Sequence, residues 1–198
     1  MVQTPGDTAV NILWMVFYAT WLAGVVWSGK TKTQMKTDMR GLHRAVSGIG
    51  VMLLFTPWGY LADRWPSLRI FIARLWPAPD GLQWGLFALI VLGFAFCWWA
   101  RLHLGRLWSG FVTLKEDHRV VDTGPYGLVR HPIYTGIMIA GFATALMRAS
   151  PLALAGASLI TIGFSMTARI EEGFLRAQLG DAYDAYSRRV GMLVPRMG

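Results

Sequence analysis

The sequence predicts an all-α integral membrane protein of five transmembrane helices, with a cytosolic loop and C-terminal helices forming a polar site. Three observations carry this: composition, the spacing of charge and the sign of the loops. Of the 198 residues, 54% are hydrophobic and only 15% charged, and the mean hydropathy is +0.40, outside the usual range of a soluble domain. Charge is absent from five windows, 8–29, 45–62, 81–100, 131–147 and 149–168. About 20 helical residues cover a hydrocarbon core of roughly 30 Å, and each window reaches or nearly reaches that length. The 19 Lys and Arg residues, which leave a formal charge of +8, fall mainly after the first, third and fifth windows; only Arg64, Arg69, Arg74 and Arg148 lie on the other side. The positive-inside rule then puts the N-terminus outside and the C-terminus in the cytosol, at the plasma or inner membrane of a bacterium or the endoplasmic reticulum of a eukaryote. Cations that flank apolar spans do not form a nucleic-acid-binding face.

The first window follows Asp7, lacks a preceding basic segment and a small-residue cleavage site before Lys30, and is expected to be a retained span. Its Trp27 suits an interface anchor. In the second, Pro57 should kink or end the helix near Phe55, because it removes a backbone donor and crowds the preceding turn. The stretch 64–79 is broken by proline yet rich in Trp, Ile, Phe and Arg, and reads as a short segment at the outer interface. The third window is apolar all round and holds the sole cysteine, Cys97, so no intrachain disulfide forms. The fourth and fifth are joined only by Arg148, Ala149 and Ser150, with Pro151 placed for a first helical turn, and must form an antiparallel hairpin. Gly136, Ala140 and Thr144 repeat at four-residue spacing and admit a close helix neighbour. After Ala168 the chain becomes amphipathic, with a break at Gly180 and an i,i+4 pair of Glu172 and Arg176. No repeat or linker divides residues 1–198, which read as one membrane domain: three N-terminal spans in 1–100 and a catalytic half in 101–198.

Chemistry concentrates in GPYGLVRHPIYTG, which runs into the fourth window. Gly124, Pro125 and Gly127 shape a turn, and Pro132 starts the helix while holding His131 extended. Arg130 and His131 are thereby fixed at the membrane surface. His43, His103, His118 and His131 are scattered, no HExxH occurs, and no metal site is visible. Neither strands nor a GxGxxG at a strand-helix junction are expected, which excludes a dinucleotide-binding fold.

The order RLHLGRLWS, EDHRVVDTGPYGLVRHPIYTG and RIEEGFLRAQLGDAYDAYSRRV resembles the isoprenylcysteine carboxyl methyltransferase family and its phospholipid-methylating relatives, over roughly residues 101–195. The resemblance implies S-adenosylmethionine as cofactor, bound between the C-terminal membrane hairpin and cytosolic segments. By position His118, Arg119, Val120 and Val121 lie along it through their backbone, and Tyr126 lines it. His131, Pro132, Ile133 and Tyr134 close the helix entrance, and Glu171 meets its ammonium group. Arg130, Arg169 and Glu172 are the implied catalytic residues, with Arg169 facing the acceptor carboxylate. The implied partner is a lipophilic small molecule or prenylated substrate reached through membrane lipid, and no obligatory protein partner is visible. Such a site fits the cofactor's chemistry: an acid for the amine, backbone donors for the carboxylate and an aromatic face for the adenine.

Two other functions share parts of this pattern. Sterol-type membrane reductases look similar across GPYGxxRHPxYxG and use NADPH, but tend to an arginine-aspartate-glutamate cluster where this chain has Arg169-Ile170-Glu171-Glu172. A phospholipid N-methyltransferase shares the cofactor and differs in acceptor. A non-catalytic scaffold would have no reason to keep every member of the motif.

Overall fold

The computed structural model describes residues 5–24, 31–34, 40–56, 58–77, 79–108, 113–115 and 120–196. Among them the long helices are α1 (Pro5–Ala23), α2 (Arg40–Phe55), α5 (Asp80–Leu104), α7 (Pro132–Arg148) and α8 (Pro151–Leu179), one for each charge-free window. Shorter helices are α3 (Trp58–Arg64), α4 (Arg69–Ile72), α6 (Pro125–Leu128) and α9 (Asp181–Arg189). By length and composition α5 and α8 are able to cross a membrane, and residues 41–55 of α2 form a shorter apolar helix.

The breaks fall where local chemistry demands them. α2 ends at Phe55, just before Pro57, and α8 ends at Gly180, whose φ of 52° suits glycine. In the hairpin, Ala149 adopts φ 53° and the Ser150 hydroxyl accepts from the Ala153 amide at 3.3 Å, with Pro151 in the first turn of α8. The stretch after α3 forms a turn at Pro66–Leu68 and then α4, with Trp65, Ile70 and Phe71 exposed. α8 runs without interruption from the apolar window into the amphipathic tail and ends at Gly180, carrying Glu171 and Glu172 beyond the window. The expectation that the chain has no strands needs correction. Thr31–Gln34 (β1) and Thr113–Lys115 (β2) pair antiparallel, tying the loop after α1 to the loop after α5.

Close packing along two seams sets the bundle. α2 lies along α8 and α5 along α7, each seam made by glycines that bring backbones together without side chains between them. A Cβ on Gly50 would stand 2.7 Å from the Gly156 carbonyl, and one on Gly136 would stand 2.5 Å from both Cys97 Sγ and the Gly93 carbonyl. α1 joins through Trp14 and Phe17, which pack on Phe94, and the Trp14 indole donates to Thr144 Oγ1 at 3.0 Å. The small residues of α7 therefore meet two neighbours, Gly136 facing α5 and Thr144 facing α1. Away from the seams, Ile12, Met15, Leu22, Trp84, Leu89 and Leu92 are exposed. An apolar surface of this kind is one that lipid covers.

Gly136→Val is expected to destabilise the protein by about 3 kcal/mol, since the new side chain has backbone and Cys97 in its place. Gly141→Ala on the same helix meets nothing within 4 Å and should be neutral or stabilising by up to about 1 kcal/mol through helix propensity. Unfolding in detergent followed by circular dichroism distinguishes them.

The two ends of the bundle differ in character. At one end Asp7 pairs with Arg74 at 3.7 Å, Arg148 donates to Asn11 Oδ1 at 2.6 Å and the Leu75 amide donates to the Ala149 carbonyl at 2.7 Å. At the other, α6, α9 and the C-terminal residues gather around the start of α7 and the end of α8.

Candidate active site

The site begins at Gly124, whose φ of 58° turns the chain into α6 directly over the His103 ring. A Cβ there would meet that ring at 2.8 Å, so only glycine fits. The turn lays Tyr126 against His103, ring centres 6.4 Å apart, and the Tyr186 hydroxyl from α9 donates to the Tyr126 carbonyl at 2.7 Å. Residues 129–131 are then extended and pair with the chain after α9: the Arg130 amide donates to the Gly191 carbonyl at 2.8 Å and the His131 amide to the Met192 carbonyl at 3.0 Å. The Thr135 hydroxyl adds a third link, to the Leu193 carbonyl at 2.9 Å. The C-terminal residues thus hold the Arg-His-Pro segment from outside, while Pro132 opens α7.

Side chains of this segment meet the two glutamates of α8. Arg130 Nε donates to Glu172 Oε1 at 2.7 Å, and its Nη1 donates to the carbonyls of Ser187, at 2.9 Å, and Val190. His131 lies between both acids, Nε2 at 3.3 Å from Glu172 Oε1 and Nδ1 at 3.4 Å from Glu171 Oε2. An imidazolium, with two N–H donors, satisfies both contacts. The Tyr134 hydroxyl donates to Glu171 Oε1 at 2.9 Å; its ring stacks on His131 at 5.4 Å and tilts on Phe164 at 4.9 Å.

The two carboxylates differ in environment. Glu172 is 5% exposed. Burial alone would raise its pKa, but hydrogen bonds from His131 and Arg130 and their charges outweigh it and hold the carboxyl at about 2. Arg176, its i,i+4 neighbour, stands farther off at 3.7 Å and is half exposed, so the principal partner of Glu172 is Arg130. The Glu171 side chain is 21% exposed and has no arginine partner among the described residues. Glu172 is a neutralised pin; Glu171 is the acid with capacity left.

The remaining expected residues divide. Val120 packs on Tyr183, Tyr186 and Val190, Val121 is partly buried beside it, Pro132 is buried, and the Ile133 carbonyl accepts from Cys97 Sγ at 3.3 Å. Arg169 is exposed on α8 and makes no ion pair among the described residues. His118 and Arg119 lie outside the described residues. Two contributors went unrecognised in the sequence. Tyr186 was visible only as part of a tyrosine pattern, and Arg101 counted only as a loop cation, although it is buried at the end of α5.

This geometry defines an integral membrane helical bundle whose polar site joins the segment entering α7 to the polar extension of α8. Residues 86–175 match the model of the isoprenylcysteine carboxyl methyltransferase (ICMT) family. It is 26% identical over 207 residues to the protein-S-isoprenylcysteine O-methyltransferase B of Arabidopsis thaliana, covering 98% of each chain. It is 47% identical over 73 residues to the methanethiol S-methyltransferase of a Pseudomonas strain, a match spanning 36% of this chain and 26% of that one. The fold is that of a solved eukaryotic intramembrane Ras methyltransferase, ICMT, with a TM-score of 0.66 at 20% identity, covering 98% of this chain and 69% of the other.

Proposed function

We propose that the protein is an integral membrane methyltransferase that uses S-adenosylmethionine to methylate the carboxylate of an isoprenylcysteine-like, lipophilic acceptor. The carrying observation is the junction of residues 130–134 with residues 171–172, made by His131 between both glutamates and by Tyr134 on Glu171. It supplies an incompletely neutralised acid beside aromatic faces at the polar end of an apolar bundle, a setting that suits an ammonium and an adenine together. When bound, the cofactor supplies an electrophilic methyl group on a sulfonium.

Each residue then has a task. Glu171 holds the ammonium, with Tyr134 fixing its carboxylate in place. Tyr126 and the backbone of Val120 and Val121 line the site, with Pro132 and Ile133 closing its upper end. Arg130 positions Glu172 and the C-terminal strap, since its guanidinium is already engaged by three acceptors. His131 has both ring nitrogens on carboxylates and is not a free base. None is needed, because the acceptor carboxylate is ionised and the task is alignment. Arg169, exposed and without an ion pair among the described residues, is suited to hold that carboxylate in a bidentate fork.

The five long helices are five spans, α2 being the shortest at 16 residues, with the N-terminus outside and the site cytosolic. Supporting this, the β1–β2 ribbon brings two Lys- and Arg-rich loops together, while the N-terminal turn meets residues 74–75 and 148–149 at the opposite end. A second reading, S-methylation of a small thiol, draws on the local identity to the Pseudomonas enzyme.

Purified protein with methyl-labelled cofactor is expected to transfer label to N-acetyl-farnesylcysteine as a base-labile ester. A base-stable thioether from methanethiol would favour the second reading. Label in phosphatidylethanolamine, or hydride transfer from NADPH to a sterol in its place, would overturn both.

A further inference from the structure

α6 is a single turn, Pro125–Leu128, set between Gly124 at φ 58° and extended Val129, with no side-chain cap at its start. A helix this short does not hold its own geometry, so the place of Tyr126 is fixed from outside. The carbonyls that end a helix are orphans unless another group reaches them. The Arg130 amide, which would take the Tyr126 carbonyl were the helix to continue, donates to the Gly191 carbonyl. The Tyr186 hydroxyl fills the gap, at 2.7 Å.

Tyr186 comes from α9, is 4% exposed, and belongs with Tyr183 and Val190 to the cluster on which Val120 packs. It therefore ties together the two stretches that line the site, the turn at Tyr126 and the strand-like run at Val120. The opposite hold comes from the end of α5. The His103 ring lies against Gly124, where a Cβ would meet it at 2.8 Å, and stacks on Tyr126 at an interplanar angle of 26°. Its Nε2 stands 2.9 Å from Thr123 Oγ1. One ring thus supports Thr123, Gly124 and Tyr126, while one hydroxyl closes the turn from the other helix.

We infer that His103 and Tyr186 are positioning residues that clamp Tyr126 between α5 and α9 and so set one wall of the cofactor site before the cofactor arrives. On the methyltransferase reading above, on which this rests, Tyr126 lines that site. A wall held in advance costs no ordering on binding. Once released, the turn is ordered at the expense of affinity, while the bound complex reacts as before.

Calorimetric titration with S-adenosylhomocysteine in detergent, alongside turnover of N-acetyl-farnesylcysteine, tests the clamp. Tyr186→Phe, which removes one hydroxyl, is expected to weaken S-adenosylhomocysteine about 5-fold, as is His103→Ala. KM for S-adenosylmethionine should rise by a similar factor, with kcat and the KM of the acceptor near their wild-type values. His103→Phe, which restores an aromatic face without the ring nitrogen, should recover most of the loss. Because release of either side frees the same turn, the double variant should lose clearly less than the product of the single losses. His103→Ala, at an exposed position, carries the test should Tyr186→Phe not fold. Unchanged affinities, single losses that multiply in the double variant, or a lowered unfolding temperature and kcat with KM for S-adenosylmethionine unmoved would make both residues merely structural and overturn the inference. Wild-type protein that binds no S-adenosylhomocysteine would instead defeat the methyltransferase reading, whatever these variants do.

Discussion

Replacing Glu172 by alanine is expected to lower the free energy of unfolding by about 3–5 kcal/mol, the cost typical of breaking a buried ion pair from one side. The substitution strands Arg130, at 2.7 Å from Glu172, and leaves His131 with one acid where it had two. It also frees the guanidinium that holds the carbonyls of Ser187 and Val190, so α9 and the C-terminal residues lose their anchor to α7. A double-mutant cycle with Arg130→Ala checks the assignment: the double variant should lose clearly less than the sum of the single losses. Acid should act on the same group. The Glu172 carboxyl is depressed from 4.5 to about 2, so its stabilisation is complete above the unfolded value, declines as pH falls below about 4.5, and is gone once pH has passed through the folded value. Linkage puts this contribution at roughly 3 kcal/mol. Unfolding temperatures measured between neutral pH and pH 3 should fall for the wild type and stay flatter for Glu172→Gln; parallel curves would remove Glu172 from this role.

Glu171→Ala should do the reverse, leaving the fold and removing the ligand. Glu171 is the more exposed of the two acids, its partners are one tyrosine hydroxyl and one imidazole nitrogen, and its removal leaves the contacts of Glu172 with Arg130 and His131 in place. Its task in our account is the cofactor ammonium. Truncating one side of such a pair in a shielded site costs about 2–5 kcal/mol, so affinity for S-adenosylhomocysteine should fall about 100-fold or more. The unfolding temperature of the unliganded protein should move little. Glu171→Gln, which keeps the hydrogen bond to Tyr134 but not the charge, should fall between. Normal affinity in a folded Glu171→Ala protein would dissociate the ammonium from this residue.

Features set by neighbouring residues were legible in the sequence. The turn of α2 before Pro57, the hairpin at 148–151, the start of α7 at Pro132 and the break at Gly180 all follow from proline, glycine and charge within a few positions, and all stand in the structure. The pairing of the Arg-His-Pro segment with the Glu171-Glu172 turn was implied by the family motif rather than by any local rule. What escaped depends on contacts distant in sequence. Nothing local announces that residues 191–193 pair with 130–135, or that residues 31–34 form a ribbon with 113–115. The pair of Glu172 with Arg176 is legible because i,i+4 spacing is visible along one helix, whereas its closer partner Arg130, 42 residues away, becomes visible only on folding. Arg101 was misjudged for the same reason: beside an apolar window a cation reads as an interface charge, and only the approach of Trp21 and Trp108 from other segments buries it.

The central claim is that the segment entering α7 and the extension of α8 enclose one charged nucleoside ligand at the polar end of the bundle. Titrating the purified wild-type protein with S-adenosylhomocysteine measures this directly. The account predicts saturable one-to-one binding and a higher unfolding temperature in its presence. A folded protein that takes up none of it at up to about 1 mM, a concentration sufficient to reveal binding of about 4 kcal/mol, would contradict it.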